Sequence, residues 1–290
     1  MEWQNREESQ NVEDRRRISP QAGLAMGGGG ILIVIIALIF GLDPRQVQNI
    51  VGNLGGGAAQ EGKVDESIKF TPRQEEQAKF SKVIFGDTER IWGEVFAKSG
   101  KTYRKPTLVL FTGRVNSACG SADAAVGPFY CPGDQKVYID CAFYEEMEKK
   151  LKAGGDFARA YVIAHEVGHH VQNLLGYTER VDDARRRGNE RIANQMSVRL
   201  ELQADYLAGV WAHYAQIKYN FLQKGDVEEA MNAANQIGDD TLQRNATGTV
   251  RPEKFTHGTS KQRVKWFYEG LNSGDLSRLR ELFDLPYEGL

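Results

Sequence analysis

The chain has 290 residues, enough for one sizeable domain with appendages. A formal net charge of -2 and a pI near 6.3 exclude a general electrostatic attraction to nucleic acid, and no basic, aromatic-rich stretch argues for such binding. Apolar residues at 41% and aromatics at 10% are ordinary for a folded globule.

In chain order, residues 1–21 are polar and rich in charge, ending in Arg15-Arg16-Arg17, and read as a tail. Residues 22–42 carry no charge until Asp43 and hold a dense apolar run from Ile31 to Phe40. As a helix they would reach about 31 Å, enough to span a bilayer core. No small-x-small cleavage site follows, so an uncleaved transmembrane anchor is expected rather than a removed signal peptide. Arg6, Arg15, Arg16 and Arg17 precede the span, while Arg45 alone follows it closely. That asymmetry predicts a cytoplasmic tail, a single pass through the membrane and an extracytoplasmic domain. Residues 43–71 read as a linker and 72–290 as the folded domain.

Residues 73–99 read as a long helix, because Phe80, Val83, Ile84, Ile91, Trp92, Val95 and Phe96 recur at helical spacing. Residues 107–112 and 136–140 read as strands. In an oxidising compartment a Cys119–Cys131 disulfide would close a short loop just before a strand and leave Cys141 free; in a reducing one all three stay thiols. Everything from Phe143 onward reads as helical, with residues 226–236 and 260–271 as clear segments. The charged stretch 178–191 reads as a solvated face or loop.

The chemistry concentrates in His165-Glu166-Val167-Gly168-His169, inside an apolar run that Asp156 could cap and Gly176 could end. On a helix, positions four apart share a face, so His165 and His169 can reach one metal ion while Glu166 stands beside the water that such an ion holds. A hydrolytic zinc site takes a third protein ligand. His170 points about 100° away from His169 on the helix. The metzincin continuation needs Gly at 172 and His at 175, where this chain has Gln172 and Leu175. Glu201 and Asp205 lie four apart in a mostly apolar helical stretch, 198–211, where unpaired carboxylates would be costly; the pair resembles the Glu-x-x-x-Asp pattern of gluzincins, which implies Glu201 as third ligand and Asp205 hydrogen-bonded to the outer nitrogen of His165. A third constellation, Thr256-His257-Gly258-Thr259-Ser260 with Arg263 one turn into a helix, offers His257 and Arg263 as donors to a developing oxyanion.

Glu201-x-x-x-Asp205 resembles the pattern of gluzincins, and the Thr-His then Arg segment resembles one found after the zinc ligands of CAAX-type membrane metallopeptidases. Together with Gly127-Pro128-Phe129-Tyr130-Cys131-Pro132, Val137-Tyr138-Ile139-Asp140 and Gly238-Asp239-Asp240, these motifs resemble the bacterial neutral zinc metallopeptidase family over nearly the whole chain. The resemblance implies an α+β, mostly helical, zincin-like domain with a small sheet, anchored by one N-terminal transmembrane helix. It implies one Zn2+ per chain on His165, His169 and Glu201, Glu166 as general base, and a protein or peptide substrate laid along an edge strand, for which residues 137–140 are the candidate. The competing expectations are a membrane-tethered binding or scaffold protein with a vestigial or structural metal site, and a metal-dependent hydrolase of a non-peptide amide. Manganese or cobalt in place of zinc stays open, as does the oligomeric state.

Overall fold

The structure is a computed structural model that describes residues 1–18, 64–123, 127–149 and 151–290. Its elements, in order, are β1 (Val12–Asp14), α1 (Pro72–Lys98), β2 (Thr107–Phe111), β3 (Arg114–Ser117), β4 (Gly120–Asp123), β5 (Phe129–Cys131), β6 (Lys136–Asp140), α2 (Ala142–Lys149), α3 (Asp156–Leu174), α4 (Tyr177–Arg186), α5 (Glu190–Tyr219), α6 (Asp226–Gln236), α7 (Asp239–Thr247), α8 (Ser260–Ser273) and a last turn, α9 (Glu281–Asp284). The fold is mostly helical α+β with small sheets.

Helix α1 starts where Thr71 and Gln74 form a reciprocal capping box just ahead of Pro72, whose missing N–H costs nothing at that position. All seven apolar residues that predicted this helix are buried. The four-stranded sheet runs in the order β1-β2-β6-β5, with β5 antiparallel and the rest parallel. Period-two alternation divides it between two cores. Leu108, Leu110, Val137 and Ile139 face the helices, while Val109, Phe111 and Tyr138 face a smaller cluster completed by Val115 and Ala122 of the β3–β4 hairpin. Strand β6 lies between β2, which pairs with it along its length, and β5, which covers Lys136, Val137 and Tyr138; the sheet edge nearest α3 is β5, a correction of the candidate drawn from chain order.

Helix α5 organises the rest, because α3 and α8 both approach it at glycines. A Cβ on Gly168 of α3 would stand 3.0 Å from the Ala204 carbonyl oxygen. A Cβ on Gly270 of α8 would stand 2.1 Å from the Tyr206 oxygen, and one on Gly209 would stand 2.1 Å from the Phe267 oxygen. Larger residues would hold these backbones apart. The charged stretch after Gly176 is not a loop: most of it forms α4, which buries Val181 and Ala184. Asp156 does not cap α3; Gly155 takes that place without a side-chain bond, and the Asp156 carboxylate accepts the Trp3 indole N–H.

That contact belongs to a larger correction. Residues 1–18 are an arm of the globule rather than a separate tail. Val12, Glu13 and Asp14 pair in parallel with Leu108, Val109 and Leu110. Trp3 is 4% exposed and stands edge-on to Phe80, and Arg6 pairs with the buried Asp87. Ile18 forms an antiparallel bridge with Val64, which brings together the two ends of the intervening stretch. Residues 1–18, expected as a separate tail, thus pack on the folded domain through a shared sheet. The anchor expected over residues 22–42 and most of the linker lie outside the described residues; among those described, no helix is long and apolar enough to cross a membrane.

Candidate metal centre

Gly168 sets the site by letting the middle of α3 lie against α5 at Ala204. His165 and His169, one turn apart on α3, then meet Glu201, one turn before Asp205 on α5. His165 Nε2 is 3.2 Å from Glu201 Oε2, and His169 Nε2 is 3.5 Å from Glu201 Oε1. One donor atom from each residue lies within 4.8 Å of the other two. Tetrahedral zinc with bonds of about 2.0–2.1 Å needs ligand atoms roughly 3.3 Å apart, so this donor set fits that ion with little movement.

Each imidazole is held from behind. His165 Nδ1–H donates to Asp205 Oδ1 at 2.9 Å. His169 Nδ1–H donates to Gln172 Oε1 at 2.8 Å, and the Gln172 amide is itself fixed by the Leu200 carbonyl and Gln203. With both Nδ1 positions engaged, both Nε2 atoms are turned toward the ligand cluster. Gln172 was used in the sequence only to exclude a metzincin; its spacing of three from His169 on one helix was the available signal.

Asp205 is fully buried and does more than orient His165. Tyr161 also donates to Oδ1, and Arg263 of α8 grips both oxygens, Nε to Oδ2 at 2.9 Å and Nη2 to Oδ1 at 3.0 Å. Burial alone would raise this carboxyl, but Arg263 and His165 hold it below the usual range. The guanidinium thus lies on the Nδ1 side of His165, away from Nε2, so the structure places Arg263 behind the ligand and not beside the expected oxyanion. The sequence missed Tyr161, although its spacing of four before His165 puts both on one face.

Glu166 is 9% exposed, and burial with help from the Glu201 charge pushes its carboxyl up to about 7, against the pull of His165 and the Tyr130 backbone N–H. Burial works against the imidazolium of His165 as well, yet Asp205 and Glu201 outweigh it and lift that ring to about 10. Glu201 is driven the other way, well below the carboxylate range, by the two histidines. A site of this kind favours a cation strongly.

His257 lies in the loop before α8. Asp239 of α7 ties that loop, with Oδ2 accepting the backbone N–H groups of Thr256, His257 and Gly258 at 2.8, 2.6 and 3.0 Å, and Oδ1 lying 3.1 Å from His257 Nδ1. Burial opposes the imidazolium of His257, but the carboxylates of Asp239 and Glu201 outweigh it and raise the ring. Asp239 has no motif spacing to His257; folding alone joins them. The disulfide links Cys119 to Cys131, and Cys141 is free and buried.

The chain is 47% identical over 285 residues to YpfJ of Escherichia coli K12, covering 95% of this chain and 96% of that protein. It is 44% identical over 183 residues to Rv2575 of Mycobacterium tuberculosis H37Rv, covering 60% and 61% respectively. Neither relative has a described activity. No solved structure matches. The family model described as "Putative neutral zinc metallopeptidase" matches residues 1–280, including the N-terminal arm, and the chain belongs to that family.

Proposed function

We propose that this protein is a zinc-dependent endopeptidase. The observation that carries the reading is the meeting of His165, His169 and Glu201 donor atoms within 4.8 Å, with the buried Glu166 carboxyl on the same helix. A zinc ion held by those three residues would supply a Lewis acid that activates water and polarises a carbonyl. Glu166, raised to about 7, is poised to accept a proton from the attacking water and pass it to the departing amine nitrogen. His257, fixed at Nδ1 by Asp239, donates to the developing oxyanion from its other nitrogen. Arg263 and Tyr161 hold Asp205, which holds His165. Strand β5 offers a sheet edge beside α3 on which an extended peptide would add as a further strand. The Cys119–Cys131 bond suits an oxidising compartment.

The test is turnover of an unstructured protein by the full chain. Cleavage should vanish with a chelator and return with zinc, and Glu166→Gln should bind one zinc per chain without cleaving. Cleavage retained in Glu166→Gln would defeat the assignment of the base. A chain that binds zinc and cleaves no peptide, even with its wild-type glutamate, would remove the endopeptidase reading.

A further inference from the structure

Two glutamines, Gln172 of α3 and Gln203 of α5, are fully buried, and their amides run in series from the C-terminal part of the chain to His169. Gln203 Nε2 donates to the Leu279 carbonyl at 2.7 Å. Gln172 Nε2 donates to Gln203 Oε1 at 3.0 Å and to the Leu200 carbonyl at 2.6 Å. Gln172 Oε1 then faces His169 Nδ1 at 2.8 Å. Carbonyl oxygens only accept, so the two backbone carbonyls fix which end of each amide is nitrogen. The direction of every bond follows. His169 Nδ1 must carry a proton, which leaves Nε2 as the nitrogen that a cation can take.

The far end of this series is a segment that supplies no candidate ligand. A 3-10 turn, Leu276–Arg280, and α9 after it are fastened to α5 through backbone carbonyls. The Asp275 carbonyl accepts from the Tyr206 hydroxyl at 2.6 Å, Leu279 from Gln203, and Leu282 and Leu285 from the two terminal nitrogens of Arg199. Positions 199, 203 and 206 form one stripe of α5, and Glu201 and Asp205 form another roughly opposite it. Helix α5 therefore stands between the C-terminal segment and the ligand cluster. Gln172, from the neighbouring helix, carries the connection round it. His165 is held by a different set, Asp205 with Tyr161 and Arg263, and the two sets share no member.

Building on the metal centre of the endopeptidase reading, we propose that Gln172 and Gln203 are positioning residues through which the C-terminal segment 275–285 sets how firmly His169 holds a metal ion. When the Leu279 carbonyl moves away, the Gln203 amide is free to turn. Gln172 then loses one of its two acceptors, and the proton on His169 Nδ1 loses its fixed partner. No cleavage step enters this proposal.

The experiment compares the full chain with Gln172→Met, Gln203→Met and Arg199→Met, and with two double variants that join Gln172→Met to each of the others. Competition with a chromogenic chelator reads zinc affinity. Nitrogen-15 spectra in mildly alkaline buffer read the ring nitrogens of the metal-free chain, with His169 assigned by its loss in His169→Ala. The wild-type ring should show the fixed Nδ1–H form. Gln172→Met should turn it into a mixture of both tautomers while the His165 signals stay in place. Gln172→Met should weaken zinc binding by about 10- to 100-fold, the usual cost of a lost partner behind a metal-bound imidazole, and Gln203→Met and Arg199→Met by about tenfold. Added to Gln172→Met, each should cost less than about twofold more, because the route is already cut. An unchanged His169 ring in Gln172→Met overturns the amide series. Zinc affinity within about twofold of the wild type in either Gln203→Met or Arg199→Met overturns the role of the C-terminal segment. So does a loss that is equal with and without Gln172, which would mark a general loosening of α5. A chain that binds zinc and cleaves nothing defeats the endopeptidase reading alone, and affinity and ring signals still decide on the glutamines.

Discussion

Arg263→Met is the sharpest probe of how the centre is built. The substitution keeps a long apolar stem in α8 and removes the guanidinium, which is 2% exposed and makes two bonds of 2.9 and 3.0 Å to Asp205. Asp205 is left buried with His165 and Tyr161 but without its counter-charge. Removing one partner of a buried ion pair costs about 3–5 kcal/mol, most of it for the uncompensated charge that remains. His165 also loses the fixed carboxylate behind it, and a disturbed partner of a metal-bound imidazole weakens metal affinity by about 10- to 100-fold. Urea denaturation of the metal-free chain measures the first quantity, and competition with a chromogenic chelator measures the second. Asp205→Asn and the double variant complete the cycle: with the carboxylate gone, Arg263→Met should cost far less. If Arg263→Met leaves stability within about 1 kcal/mol and zinc affinity within about twofold of the wild type, well short of these magnitudes, the clamp has no role in the site.

Other elements carry their own tests. Gly270→Ala places a methyl 2.1 Å from the Tyr206 oxygen, so α8 must shift, and a loss of about 3 kcal/mol with weaker zinc binding is expected in denaturation and chelator competition; a neutral substitution would refute the close crossing. Trp3→Ala should lower stability by about 3–5 kcal/mol by urea midpoint, because Trp3 is 4% exposed against Phe80; an effect below about 1 kcal/mol would mean that the arm is undocked. His170, held neutral with its ring pushed down from 6.5 to about 4 by burial, gains a proton on unfolding but not in the fold anywhere between those values. Its stability contribution is complete above about pH 6.5 and falls by about 3 kcal/mol as pH drops to about 4. Metal-free His170→Gln should therefore show a shallower acid slope over that window, and parallel curves for the two proteins would contradict the neutral assignment.

The sequence made the metal centre legible because its parts obey helical spacing. His165 and His169 repeat at four, as do Glu201 and Asp205, and the apolar run of α1 could be read residue by residue. What periodicity does not encode is which helices touch. Gly168, Gly209 and Gly270 decide that, and a glycine in a helix reads from sequence only as a weak point. Hence Arg263 looked like an oxyanion donor from its place in the chain, while the crossing of α8 over α5 carries it behind His165. The roles of Gln172, Tyr161 and Asp239 escaped for the same reason: each acts through a hydrogen bond made only after packing. The N-terminal arm misled most. Its arginines weigh toward a cytoplasmic tail by counting, but Arg16 pairs with Asp14 and Glu75, and Arg6 with Asp87, within the globule. Charge counting treats such residues as free.

X-ray absorption at the zinc edge of the reconstituted full chain addresses the central assignment most directly. The account predicts one zinc per chain with two imidazole nitrogens and carboxylate and solvent oxygens at about 2.0–2.2 Å, and loss of one imidazole signal in His169→Ala. A sulfur ligand near about 2.3 Å, or a spectrum unchanged in both His165→Ala and His169→Ala, would contradict it.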